Sequence, residues 1–170
     1  AGGIGPPLVS YAEENPRGLE RALGAVCATI SGHIQDALDR GAAGFFFAPL
    51  QWTSLDVCNA SLYERFGRPY DLQVLEAAEG AKLNALHVCG NEIGMERFLD
   101  YPVDVLSWDD GGKGNPSLVE VAAKTDRAVM GGIPHKRIHK MTPPDLLNSV
   151  EESVGQLETG FILAGGCAVG

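Results

Sequence analysis

Short apolar runs alternate with helical patterns along almost the whole chain of 170 residues. Strands that are apolar on both faces are typical of a parallel sheet covered by helices. The alternation therefore predicts an α/β fold with about five parallel strands in one domain, 1–170. The five runs are GFFFAPL (44–50), NALHVC (84–89), VDVLSW (103–108), RAVMGG (127–132) and GFILAGG (160–166).

Helical patterns occupy the segments between these runs. The longest begins at Asn15-Pro16 and ends near Gly41, with apolar residues at three- and four-residue steps. Cys27 lies within it and is predicted to be a small buried hydrophobic residue. Residues 50–58 are predicted to form a loop. Further helices are predicted over 63–66, 70–83, 92–99, 116–124 and 143–157, the last with Thr142 as its N-cap.

The number of strands leaves two architectures open. A closed parallel barrel has eight strands, typically in about 250 residues. The chain is therefore either an open sheet, whose edges need a partner or a covering loop, or the C-terminal part of a TIM-type (β/α)8 barrel. It has no initiator Met and ends on a Gly-rich turn, so we expect both ends to be cut. Two copies in a homodimer would be another way to complete a barrel.

The acidic composition argues against several functions. A net charge of -9 and a pI of about 4.8 disfavour binding to nucleic acid, which needs a basic stripe, and docking on an anionic membrane. No apolar run reaches the roughly 20 residues of a membrane span, and the first residues do not resemble a signal peptide. We therefore expect a cytoplasmic protein whose four cysteines are free thiols or metal ligands.

A histidine and two cysteines stand at the ends of predicted strands. Side chains alternate along a strand, so His87 and Cys89 share one face at its carboxyl end, where parallel barrels place active sites. Cys167 follows the last strand at the same edge. Three such ligands with an open fourth position are the usual arrangement of a catalytic zinc. The alternative is a core histidine and two buried thiols without metal.

Four segments, LHVCGN, VDVLSWDD, AVMGGI and FILAGGCAVG, resemble the uroporphyrinogen decarboxylase superfamily in order and spacing. They look most like its zinc-containing branch, the methylcobalamin:coenzyme M methyltransferases. That branch carries an H-x-C motif and a distant cysteine as zinc ligands, and His87, Cys89 and Cys167 match these positions. The resemblance implies a (β/α)8 barrel, of which the chain would be the C-terminal half, with the N-terminal part absent.

The resemblance also implies a reaction. A methylcorrinoid carried by a partner corrinoid protein would donate a methyl group to a small thiol, which zinc holds as a thiolate. The acceptor could be coenzyme M, homocysteine or another thiol. One alternative is decarboxylation of a tetrapyrrole, which needs several arginines, whereas the rim here offers mainly Arg137 and lysines. Another is a truncated module without catalytic activity that binds a corrinoid protein.

Several other residues are candidates for the same site. Glu92 is predicted to be catalytic, as a fourth ligand or base, or else to begin a helix. Either Asp109 or Asp110 is predicted to orient His87, or else the two form a turn pair. Gln51 and Trp108 are candidates for cofactor binding, with Trp108 either lying under the corrinoid or simply packing in the core.

Two further groups lie near the predicted rim of the site. Cys58 is a possible additional metal ligand in the loop after the first strand. His135 and His139 have a spacing that would suit a metal on a helix, but Pro134 and the surrounding basic residues favour a rim loop that contacts an anionic substrate group.

Overall fold

The computed structural model describes residues 5–168, without the side chains of residues 5–7 and of Gln51. Its strands are β1 (Gly44–Phe47), β2 (Leu83–Val88), β3 (Val105–Trp108), β4 (Ala128–Ile133) and β5 (Phe161–Gly165). Its helices are α1 (Gly5–Glu14), α2 (Pro16–Asp39), α3 (Ala60–Phe66), α4 (Arg68–Ala77), α5 (Leu118–Ala122) and α6 (Pro143–Val154). The predicted α/β class is confirmed.

All five strands are parallel and lie in the order β1-β2-β3-β4-β5. Each strand therefore pairs with the next one in the chain, and the order does not reverse as it does in a doubly wound sheet. The carboxyl ends of all the strands meet at one edge of the sheet. Within residues 5–168, β1 and β5 are the two edge strands.

One face of the sheet packs against the helical layer. Leu86, Leu106 and Val129 on three neighbouring strands are completely buried, and they join a core that includes Phe66 and Phe98. A smaller cluster joins α2 to α4 and contains Cys27, which is 2% exposed, as predicted. None of the described helices combines the length and the apolar character needed to cross a bilayer.

Local capping explains where the predicted helices begin. The side chain of Asn15 accepts a hydrogen bond from the Gly18 N–H at 3.0 Å and starts α2, and Thr142 starts α6 through a reciprocal pair with Asp145. The helix predicted over 92–99 is wrong, because Glu92 and Gly94 have φ angles of 48° and 54°. Only a 3-10 turn, Met95–Phe98, forms there.

A carboxyl group is buried within the helical layer. Asp71, in the first turn of α4, is 8% exposed and accepts hydrogen bonds from the hydroxyl groups of Tyr63 and Tyr101. Burial raises the pKa of Asp71 to about 7, and the two hydroxyls and Arg68 offset only part of this rise. The folded protein therefore retains a proton that the unfolded chain releases at a lower pH.

Because of this proton, the folded protein should become less stable as pH rises. The pKa of Asp71 is about 7 in the folded state and 3.8 without the influence of the fold. The contribution of Asp71 to the free energy of unfolding therefore falls as pH rises between these two values. Asp71→Asn cannot ionise and lacks this slope. We expect wild type to lose up to about 4 kcal/mol relative to the variant between about pH 4 and pH 8. Urea denaturation across this range measures the difference, and a difference that stays constant would contradict the prediction.

Candidate metal centre

His87, Cys89 and Cys167 converge at the carboxyl edge of the sheet. Their ligand atoms all lie within 4.8 Å of one another, and the two Sγ atoms are 3.9 Å apart. His87 is the last residue but one of β2, Cys89 follows that strand, and Cys167 follows β5. Within residues 5–168, no other set of three histidine, cysteine or acidic side chains forms a group that could hold a metal ion.

Cys167 contacts this group although two strands of the sheet lie between β5 and β2. β3 and β4 lie between β2 and β5, and neighbouring strands are about 4.8 Å apart, so a flat sheet would separate β2 from β5 by about 14 Å. The sheet and the turn after β5 must therefore curve inward at this edge.

Gly166 allows this approach. Its N–H donates to the carbonyl of Ile133 at 3.1 Å, and a Cβ atom at this position would lie only 2.9 Å from the Cα of Asp109. A side chain at Gly166 would push the turn away from β3. The absence of a side chain at Gly166 therefore determines where Cys167 lies.

The imidazole of His87 is held at one nitrogen and lacks a partner at the other. Its Nδ1 lies 3.1 Å from the hydroxyl of Ser107, and its ring stacks on Phe46 with centroids 5.6 Å apart. Its Nε2 is buried and has no hydrogen-bond partner among the described residues. Burial, followed by the proximity of His135, lowers the pKa of His87. The ring is thus neutral, the form that binds metals, and a metal ion would satisfy the buried Nε2.

The backbone around Cys89 is fixed by side chains from neighbouring turns. Thr53 donates its hydroxyl to the carbonyl of Cys89 at 2.8 Å. Asn115 donates to the carbonyls of Gly90 and Asp109 at 2.9 and 2.8 Å and so joins the turns after β2 and β3. Burial and the adjacent Cys167 raise the pKa of Cys89 to about 11. Metal binding would displace the thiol proton and leave a coordinated thiolate.

Asp109 does not orient His87. It is 8% exposed, accepts a hydrogen bond from Lys136 Nζ at 2.7 Å and lies 3.7 Å from Nδ1 of His135. The predicted role belongs to Ser107, which lies opposite His87 in the register of β2 and β3. Asp109 lies beyond the end of β3, which is why the assignment is wrong.

Three further candidates remain, of which Glu92 and Trp108 make contacts elsewhere in the fold. Glu92 has a half-exposed side chain that pairs with Lys113 at 2.9 Å, and it is not part of the metal-ligand group. Trp108 is completely buried and donates its indole N–H to the carbonyl of Pro116 at 2.8 Å, so it packs in the core and cannot lie under a corrinoid. Gln51 lies in a 3-10 turn, and its side chain is outside the described part of the structure.

The remaining predicted residues lie in three places. Asp110 accepts a hydrogen bond from the Gly132 N–H at 2.9 Å. Cys58 is buried in the helical core and is not part of the metal-ligand group. His139 is exposed in a short 3-10 turn, Ile138–Lys140, within the predicted basic loop.

Ser107 and Asn115 are contributors that the sequence does not reveal. Alternation along VDVLSW places Ser107 on one face of a strand, but its pairing with His87 depends on the register of two strands. Asn115 acts through the carbonyl of Asp109 and through that of Gly90, which lies 25 positions earlier in the chain.

Comparison with known proteins adds no relative. No family model matches the chain, and no curated protein matches it.

The three-ligand site predicts that metal binding requires both Cys89 and Cys167. Alanine at Cys89 or Cys167 should abolish binding of one equivalent of cobalt(II), because two protein ligands cannot complete the site. The thiolate-to-cobalt absorption band under reducing conditions measures this. Cys27→Ala is the matched control, since Cys27 is also buried but packs between α2 and α4. Full cobalt binding by both site variants would rule out the centre.

Ser107 predicts a smaller, graded effect. Ser107→Ala should weaken metal affinity by about 10- to 100-fold, because Nδ1 of His87 loses the contact that orients the ring. Competition with a chromophoric chelator measures the affinity. Ser153→Ala removes another buried hydroxyl, one that donates to the Gly132 carbonyl, and should leave the affinity unchanged. Equal affinities for wild type and Ser107→Ala would refute the orienting role.

Proposed function

We propose that this chain carries the zinc centre of a methyltransferase that moves a methyl group from a methylcorrinoid to a small thiol. The observation that supports this proposal is the convergence of His87, Cys89 and Cys167 within 4.8 Å. One neutral imidazole and two thiols are a donor set that suits zinc. Three protein ligands leave one tetrahedral position for a substrate thiol.

The positions of the two sulfur atoms are compatible with zinc. Two Zn–S bonds of about 2.3 Å at a tetrahedral angle place their sulfur atoms about 3.8 Å apart. The Sγ atoms of Cys89 and Cys167 are 3.9 Å apart. The unpartnered Nε2 of His87 supplies the third donor atom. The two thiols therefore need little rearrangement to bind the ion.

Each group has a separate role in the proposed reaction. Zinc would hold the substrate thiol as a thiolate that remains nucleophilic. His87, Cys89 and Cys167 would hold the ion, and Ser107 orients the imidazole ring. The substrate sulfur would form a bond to the methyl carbon as the carbon–cobalt bond breaks, and the electron pair of that bond would leave with the corrinoid. The corrinoid would be supplied by a partner protein.

The architecture supports placing this centre in a barrel. We propose that the five strands form part of a (β/α)8 barrel of the uroporphyrinogen decarboxylase type. Sequential parallel order, ligands at the carboxyl edge and inward curvature toward Cys167 are all expected of such a barrel.

Tetrapyrrole decarboxylation fits the described surface less well. Such a reaction needs several arginines facing the carboxylates of the substrate. Arg97 and Arg127 instead donate to backbone carbonyls, including those of Thr53 and Val103 at 2.7 Å. Both are therefore engaged within the fold.

His87→Ala gives the direct test of the proposed reaction. Wild type loaded with one equivalent of zinc should methylate a thiol from methylcobalamin, and the variant should neither bind zinc nor exceed the uncatalysed rate, because the ion is lost. Loss of the methylcobalamin absorption band and mass analysis of the thioether measure the turnover. His33→Ala, an exposed histidine on α2, is the control and should retain both properties. Zinc-independent turnover, or none with zinc bound, would contradict the proposal.

A further inference from the structure

A cavity of about 630 Å³ lies within the helical layer, between α2, α4 and the carboxyl end of β1. Phe47 lines it, whereas the preceding residue, Phe46, stacks on His87, and successive side chains of a strand point to opposite faces of the sheet. The cavity and the imidazole of His87 therefore lie on opposite faces. Of the metal-ligand group, only Cys89 contributes to the wall. The volume falls within the roughly 300–1,000 Å³ of small-molecule sites.

Most of the cavity wall is apolar. Leu23, Val26 and Ile30 recur at three- and four-residue steps along α2, so they share one side of that helix. Phe47 and Trp52 contribute from β1 and from the turn that follows it. Aliphatic and aromatic side chains of this kind favour the methylene groups of a ligand, because these groups leave water when they bind.

Asp71 is the exception in this apolar wall. It is the one acidic residue among the described residues that line the cavity, and it lies one turn before Val74 on the same side of α4. Its Oδ2 accepts the hydrogen bonds from the hydroxyl groups of Tyr63 and Tyr101. Its Oδ1 accepts none from the described residues and is not fully enclosed. Oδ1 is therefore free to accept a hydrogen bond from a ligand.

The fold places no cation directly beside Asp71. No described lysine, arginine or histidine forms an ion pair with it, and none lines the cavity. The charge of Arg68 lowers the pKa of Asp71, but its guanidinium group is bound by the carboxylate of Asp100 at 2.6 Å and by the carbonyl of Arg97 at 2.8 Å. A cationic group on a ligand would therefore complement the charge of ionised Asp71.

We propose that this cavity binds an aliphatic amine, whose ammonium group donates a hydrogen bond to Oδ1 of Asp71 and whose alkyl chain packs against α2 and Phe47. This inference goes beyond the proposed methyl transfer, because it requires neither metal nor corrinoid. A hydrogen bond between two charged groups is about twice as strong as one between neutral groups. An alcohol of equal length would make the apolar contacts without this bond, and Asp71 would repel a carboxylate.

Calorimetry on the metal-free, reduced chain gives the first test, because the amine cannot then coordinate zinc. Octylamine, 1-octanol and octanoate are compared at about pH 8, above the pKa of about 7 for Asp71 and below that of the amine. We expect octylamine to bind about tenfold more tightly than 1-octanol, and octanoate to bind most weakly. An amine that binds no better than the alcohol, or a preference for octanoate, would overturn the proposal.

Two matched variants test the role of the carboxylate. Asp71→Asn preserves the size of the side chain and should bring the affinities for octylamine and 1-octanol to within about twofold of each other. Retained binding of 1-octanol would show that the cavity persists in this variant. Asp109→Asn makes the same change at a residue that is also 8% exposed but lies outside the cavity, and it should keep the preference for the amine. An undiminished preference in Asp71→Asn would refute the assignment.

A lysine at the mouth of the cavity tests where the ligand lies. Val26→Lys, at a residue on α2 that is 55% exposed, should weaken binding of octylamine about two- to fivefold relative to 1-octanol, because like charges repel. Val119→Lys makes the same change on α5, at a residue that is 43% exposed and outside the cavity, and should leave both affinities unchanged. The same ratio of affinities in both variants would contradict this location.

Sedimentation distinguishes a bound amine from a second copy of the chain. The exposed part of Val26 at the mouth could also be covered by another molecule of the same chain. We expect the chain to sediment as a monomer with and without octylamine. A dimer that octylamine dissociates would show that a second copy occupies the cavity and would overturn the proposal.

Discussion

Parallel pairing between β2 and β3 fixes the candidate metal centre, because it places Ser107 opposite His87. A slip of one residue in this register would turn His87 toward the helical layer and Leu86 away from it. Leu86 is completely buried on the helical side, so the slip would remove it from the hydrophobic core. The hydrophobic core and the orientation of the imidazole thus depend on the same hydrogen-bonded ladder, and the core stabilises the geometry of the site.

The turns that follow the strands fix the positions of Cys89 and Cys167. Asn115 joins the turns after β2 and β3 through two backbone carbonyls, and Thr53 holds the carbonyl of Cys89. Gly166 lets the last turn lie against Asp109. These contacts hold two cysteine sulfur atoms and a neutral imidazole close together, although burial leaves the Nε2 of His87 without a partner. A buried nitrogen without a partner destabilises the folded state, and a bound cation would remove this destabilisation.

Sequence patterns predicted the strands well, because each strand is a short run of mainly apolar residues. They also predicted that His87 and Cys89 would share a face, since this follows from alternation along one strand. They failed where the backbone adopts left-handed conformations, so Glu92 did not begin a helix. They also misassigned the partner of His87, because strand register and the crossing of the β5 turn depend on tertiary contacts.

The 3.9 Å separation of the two sulfur atoms has a consequence for handling the protein. A disulfide bond is about 2.05 Å long, so side-chain movements of less than about 2 Å could bring Cys89 and Cys167 to bonding distance. Oxidation to a disulfide and binding of a metal ion would then compete for the same two thiols. Bound metal would shield the thiols from air, and protein prepared without metal or reductant would convert into an oxidised form that cannot be loaded.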